Sequence, residues 1–545
     1  MEGIADFLDS LIGGVDLTFF ALLIGSIFWL FFVIRPWQAD TLTNKVELAQ
    51  TAASSVFIGA LALCLTQLAK IGLKIWLMAA TLDMWPFPAF AETIQFQAGL
   101  WRVLFAGIVA FYAYYYLRPN ASVRHDWHNT ALLALPLIIA GGWLVHGAGR
   151  FEDRSYLMIL TVTHQIAAAV WIGGVMQLLV VWRIQSNPQV RQSSWPLLLS
   201  RFSMLGLASV GVLLLSGIPI ALKYIDSLNG FIGSGYGNLL LVKIILLAIA
   251  LGFAWMNRHA VTQFISSNDG RALFNRVPYY VEAETFVLIT LLFTAASLAS
   301  QPPAIDIPDL TATWSEVLNT FHPRIPRMTS PSHEALIAGE AGRVAIVGQV
   351  PSEAATAWSD YNHNISGIFL TVMSFFAMLS YFKPAHHWAR YWPVGFILLG
   401  IFLFFRSDAE TWPLGPIGFW DSTFNNGEVL QHRIATLLVF MLGVMEIRAR
   451  MTTEPDSALP YIFPLLAAFG GLMLLTHSHV GFQAKTAFLI QVGHTLMGIF
   501  SLILACGRWL ELKLDNPRKN VAGFISVFAL FQIGLILMFY REPLY

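Results

Sequence analysis

Long unbroken apolar runs alternate along the chain with short polar connections. Fourteen runs reach spanning length: 12–34, 48–69, 97–117, 129–147, 157–182, 201–222, 237–256, 277–300, 363–382, 391–407, 427–447, 460–478, 485–507 and 520–540. A helix needs about 20 mostly apolar residues to cross a bilayer. The runs are continuous rather than alternating, which predicts helices that satisfy their own backbone groups in lipid, not barrel strands. The predicted fold class is therefore all-α, a polytopic transmembrane helix bundle of about 14 spans. The longest hydrophilic stretch, about residues 301–362, opens with Gln301-Pro302-Pro303. It divides the chain into an eight-helix part (1–300), a linker or cap (301–362) and a six-helix part (363–545). No repeat relates the two helical parts.

Cations set the predicted orientation, because short cytoplasmic loops collect Lys and Arg. The odd-numbered connections hold Arg35, Lys45, Arg118, Arg124, Arg183, Arg191, Arg258 and Arg276, and later Lys383, Arg390, Arg448, Arg450, Arg508 and Lys519. The even-numbered ones are poorer in cations and carry acidic pairs such as Glu152-Asp153. Both termini are thus expected outside, on the periplasmic side of a bacterial inner membrane. Residues 1–10 contain Glu2, Asp6 and Asp9 but no Lys or Arg, so the first apolar run reads as a retained helix rather than a cleaved signal.

Composition agrees and removes other classes. Of 545 residues, 56% are hydrophobic and 12% charged, about half the charge of a soluble domain. The formal net charge is zero, which excludes a nucleic-acid partner held by basic surface. Two cysteines, Cys64 and Cys506, sit in apolar runs, so neither a disulfide framework nor a cysteine-based metal cluster is available. No phosphate-binding loop is present. The reading favours a transporter or metal-binding protein over an enzyme.

The histidines carry the candidate chemistry. Nine of fourteen fall outside or in the outer part of a span: His146, His164, His322, His333, His363, His432, His477, His479 and His494. Ionisable groups inside a membrane are costly, and clustering at one face points to function more than scattered interhelical hydrogen bonds do. The candidate ligand set is His146, His164, His432, His477, His479 and His494. His146 and His164 lie on consecutive spans and are expected to face each other. His477-Ser478-His479 ends a span, flanked by His432 and His494 on neighbouring ones. Imidazole suits a transition-metal ion or, as a pair, b-type haem. The haem alternative pairs His432 with His494, or His146 with His164, in quinone-linked electron transfer. A structural subunit of a larger membrane complex is the third reading.

Other intramembrane features read as structural. Gly173 and Gly174 allow close helix packing. Asp16, Lys70, Lys74, Arg102, Lys243 and Arg433 lie near helix ends, where long side chains reach the interface. Glu284 lies deeper; it either pairs with an inner cation such as Arg258 or lines a path, and the structural pairing is favoured.

These residues resemble the CopD copper-resistance family of bacterial inner-membrane proteins. The resemblance runs through His146-Gly147, His164-Gln-Ile-Ala-Ala-Ala-Val-Trp171-Ile-Gly173-Gly174, Arg201-Phe-Ser203 and Leu215-Ser-Gly217. It continues with Gly235-Tyr236-Gly237-Asn-Leu-Leu-Leu-Val-Lys243, Asn257-Arg258, Glu284 and Gln301-Pro302-Pro303-Ala. It covers about residues 97–304. The remainder, with His432, His477, His479 and His494, looks like the C-terminal extension of long family members. The resemblance implies copper as the ion, movement from the periplasmic side inward, and delivery by a periplasmic CopC-like copper protein. No CopC-like domain is fused here, since residues 301–362 are too few.

Overall fold

The computed structural model describes residues 2–34, 45–82, 84–116, 127–184, 188–340, 352–382, 386–452, 454, 456–476 and 484–543. Among them the chain is helical, with one isolated β-bridge between Thr411 and Ile417. Fourteen longer helices are α1 Glu2–Trp29, α2 Lys45–Leu82, α3 Ile94–Tyr116, α4 Trp127–Gly142, α5 Arg154–Ile184, α6 Pro188–Tyr224 and α7 Gly235–Ser267. They continue as α8 Val277–Ser300, α9 Glu353–Leu379, α10 Val394–Arg406, α11 Gly427–Met451, α12 Ile462–Thr476, α13 Ala484–Lys513 and α14 Arg518–Met538.

Among the described residues, twelve helices are long and apolar enough to cross a membrane, against fourteen expected. The two outside that group are still helices. One is α4, which has 16 residues with Pro136 inside it. At 1.5 Å per residue it is about 24 Å long, short of the hydrocarbon thickness. The other is α11, which carries Glu428, Arg433, Glu446, Arg448 and Arg450 along its 25 residues.

The chain forms two compact units. Unit I holds Asp9–Tyr224 and Leu247–Ser300, and unit II holds Met1–Leu8, Ile225–Leu246 and Gln301–Tyr545.

Unit I is built on small residues. α1 and α5 meet backbone to backbone at Gly25 and Gly173: a Cβ on Gly25 would lie 2.5 Å from the Gly173 Cα, and one on Gly173 would strike the Ala21 carbonyl. Gly174 makes room for the Phe202 ring. The packing role expected for this glycine pair is what the structure shows. Beside it, Gln177 donates to Ser26 Oγ at 2.6 Å.

Asp16 and Arg102 do not reach for an interface. They are 4% and 8% exposed and pair at 3.2 Å, with Thr66 and Gln67 also donating to Asp16. Burial is the reason: a charge shielded by neighbouring helices needs a counter-charge, not a path to water. Arg102→Leu leaves the Asp16 carboxylate buried without its cation and is expected to destabilise by about 3–5 kcal/mol. Adding Asp16→Asn should recover part of this, as read by thermal unfolding in detergent.

Unit II has polar ends and an apolar middle. Phe463 packs edge-on to Trp392 and against Phe396, at 6.1 and 6.0 Å between rings, among Leu370, Leu399 and Leu530. At one end the start of α9, the end of α10 and the end of α14 meet. The Arg406 carbonyl accepts from Trp358 Nε1 at 3.1 Å and Asn362 Nδ2 at 2.7 Å. Asn364 Nδ2 donates to the Tyr540 carbonyl at 3.0 Å. At the other end the C-terminal turns of α11 and α13 meet: Arg508 and Arg450 bind Glu446 at 2.9 and 2.8 Å, and Tyr381 donates to Glu511 at 2.7 Å. Consecutive helices of this unit therefore run in alternating directions.

Side-chain caps fix where these helices begin. Ser352 Oγ accepts from Ala355 N–H at the head of α9, and Asn426 Oδ1 accepts from Glu428 N–H at the head of α11. The segment before α7 belongs to unit II: Ala312 N–H donates to the Gly233 carbonyl at 2.7 Å, and buried Asn238 donates to Thr495 of α13 at 2.9 Å.

Candidate functional site

His164 sits half-buried on α5, facing α6. Its Nδ1 lies 3.1 Å from the Leu213 carbonyl and 3.2 Å from Ser216 Oγ. The Ser216 hydroxyl proton is directed to the Val212 carbonyl at 2.6 Å, so both neighbours of Nδ1 act as acceptors. Nδ1 is then the protonated nitrogen, and Nε2 carries the lone pair that a metal ion would use. Gly217 completes the cradle: a Cβ there would lie 2.8 Å from the imidazole Cε1.

His146 lies in a short 3-10 turn, His146–Gly149, and is exposed. Its ring stands 6.3 Å from that of Tyr224, at the end of α6. The two histidines were expected to face each other, but both turn to α6. Their contacts, at Ser216 and Tyr224, are eight residues apart, roughly 12 Å along the helix axis.

In unit II the structure brings His494 together with a residue outside the expected ligand set. His363 of α9 and His494 of α13 have ring centroids 6.1 Å apart, nearly perpendicular at 84°. Each Nδ1 lies 2.9 Å from the carbonyl four residues back on its own helix, Ser359 and Ile490. Both rings are thereby set in the tautomer with the lone pair on Nε2. An ion bound by two imidazoles at about 2.0 Å each, with nearly collinear bonds, places ring centroids roughly 6 Å apart. Tyr540 packs on both, 4.2 Å from His363 and 6.4 Å from His494, and its hydroxyl donates to Glu542 at 3.0 Å.

His432, on the second turn of α11, places Nδ1 2.7 Å from Asp408 Oδ1. A carboxylate behind an imidazole is the usual support of a metal-ligating histidine. His477 and His479 lie outside the described residues. Among the described residues no group of three or more His, Cys, Asp or Glu side chains forms a ready-made metal cage.

Sequence reading passed over His363 because it lies in the polar stretch Ser359-Asp-Tyr-Asn-His-Asn at the start of its helix. Its partner Tyr540 lies 177 positions away. Glu284 pairs with Asn257 at 2.9 Å rather than with Arg258, which donates to Ser203.

A family model described as "Copper resistance protein D" (CopD) matches residues 196–298, which run from α6 to α8. The chain is 25% identical over 178 residues to the copper transport protein CutJ of Bacillus subtilis (strain 168), covering 32% of this chain and 31% of that protein. It is 28% identical over 146 residues to the inner membrane protein YebZ of Escherichia coli (strain K12), covering 24% of this chain and 46% of that protein. The matched part thus spans less than half the length of either curated relative. No solved structure matches. The described residues thus form an all-helical polytopic bundle, and the segment similar to the CopD copper-resistance family includes the α6 cradle of His164.

Proposed function

We propose that this is an inner-membrane copper-handling protein that takes copper from the periplasmic side and moves it through intramembrane histidines. The observation that supports this reading is the seat of His164 on Leu213, Ser216 and Gly217, because the α6 side of that seat lies in the matched segment and its contacts are made through Nδ1, which places the lone pair on Nε2. His146, exposed on the same unit, is the entry ligand. In unit II, His494 with His363, and His432 backed by Asp408, are further imidazole donors, and His477 and His479 are assigned to the same ligand set. Exchange between successive imidazoles keeps the ion coordinated throughout and avoids a bare charge in hydrocarbon. A periplasmic CopC-like copper protein is the proposed donor. The names of the matched family and of CutJ support copper as the cargo.

The experiment is metal analysis with an optical spectrum of protein purified from copper-supplemented cells. The expected result is a protein without a Soret band that holds copper in stoichiometric amount. A reducible Soret and α band would replace this reading with the b-type haem one, and a protein free of both would leave a structural subunit.

A further inference from the structure

Glu284 lies on α8, seven residues and about 10 Å from its start, and is 2% exposed. Two residues earlier on the same helix, Glu282 binds Arg183 of α5 at 2.6 Å. The hydrogen-bond partner of Glu284 is neutral: Asn257 of α7 donates Nδ2–H to Oε2 at 2.9 Å. Several charged and titratable groups on the adjoining elements have other partners. Arg258 donates to Ser203 of α6 at 2.9 Å, and His259 stacks on Trp255 at 5.8 Å. Arg271 is held by Asp269 at 2.9 Å, and the Tyr280 ring packs on Phe253 at 6.3 Å. Arg276 and Tyr279 stand at the start of α8 beyond these.

Asn257 supplies the second observation. It is 8% exposed, and its Oδ1 is buried with no hydrogen-bond partner among the described residues. An orphaned buried acceptor costs about 1–3 kcal/mol, and a buried carboxylate without a counter-charge costs more. One proton resolves both. A neutral Glu284 acid would offer an O–H donor beside Asn257, whose N–H already meets Oε2. The result is a reciprocal acid–amide pair with no net charge.

We propose that Glu284 and Asn257 form an intramembrane proton-binding site, in which Glu284 is a carboxylic acid at neutral pH and exchanges its proton with water as copper passes through unit I. On release, the carboxyl O–H bond breaks and the proton leaves to water, while the Asn257 N–H keeps hold of the carboxylate. Recapture restores the acid. The coupling clause rests on the copper reading; the proton site does not.

Infrared difference spectroscopy of the purified full chain at pH 7 tests the site. The expected result is a carboxylic-acid C=O band in wild type that is lost in Glu284→Gln and displaced in Asn257→Ala, where its hydrogen-bond acceptor is gone. Identical acid bands in wild type and Glu284→Gln would overturn the site. Asn257→Ala provides the same decision should Glu284→Gln not fold, since an unmoved band then counts against the pair. Proteoliposomes with a trapped pH-sensitive dye test the coupling. Copper addition should move protons with wild type and fail to do so with Glu284→Gln, although that variant still binds copper. Equal proton movement in the two would overturn the coupling. If wild-type vesicles take up no copper, the copper reading falls, and the infrared comparison still decides the proton site.

Discussion

Replacing His164 with alanine is expected to lower copper uptake by reconstituted protein about tenfold or more, the scale on which metal sites respond to loss of an imidazole or its support. The cradle gives the prediction its specificity. Gly217→Ala keeps the imidazole but brings a methyl group to 2.8 Å from Cε1, so the ring must turn away from α6. It should reproduce much of the loss. Ser216→Ala removes one acceptor and leaves the Leu213 carbonyl at 3.1 Å, so it should cost far less. The ordering His164→Ala, then Gly217→Ala, then Ser216→Ala is the measurable signature, with thermal unfolding in detergent as the control for folding. Uptake unchanged in the first two variants would remove His164 from the copper path.

The largest structural effect is expected at Gly173. Its missing Cβ points at the Ala21 carbonyl, with the Gly25 Cα close behind, so any side chain meets backbone rather than a flexible side-chain end. Helices α1 and α5 would have to separate along their contact. Gly173→Val should destabilise by more than about 3 kcal/mol and yield aggregated protein on extraction. Size-exclusion chromatography in detergent reads this directly. Gly107→Ala is the matched control: nothing lies within 4 Å of the added Cβ. It should leave the elution profile unchanged, and the same profile for Gly173→Val would show that the α1–α5 contact contributes little.

The helices were legible in the chain because about 20 consecutive apolar residues have few uses other than crossing lipid. The small-residue contact at Gly173 was legible for a related reason: glycines in such a run mark close helix approach. Which side of a helix faces which neighbour was not. Asn257 and Arg258 are adjacent in sequence but point about 100° apart on a helix, and that rotation decides that Asn257, not Arg258, meets Glu284. Asp16 and Arg102 looked like independent end-of-helix charges because 86 positions separate them; only packing makes them a pair. The histidines were found by residue type, but their company was not. His363 of α9 and Tyr540, just beyond α14, join His494 from distant parts of the sequence, and no local pattern announces that meeting.

One backbone junction bears on how the gene can be cut. Gly233 and Asn238, inside the segment that the family model matches, are satisfied by Ala312 and Thr495, both downstream of it. A shortened polypeptide ending near residue 300 would strand a carbonyl and a buried amide at the head of α7 and unseat that helix. Dissection of the activity is therefore better done by point substitution within the full-length protein than by expressing its N-terminal portion alone.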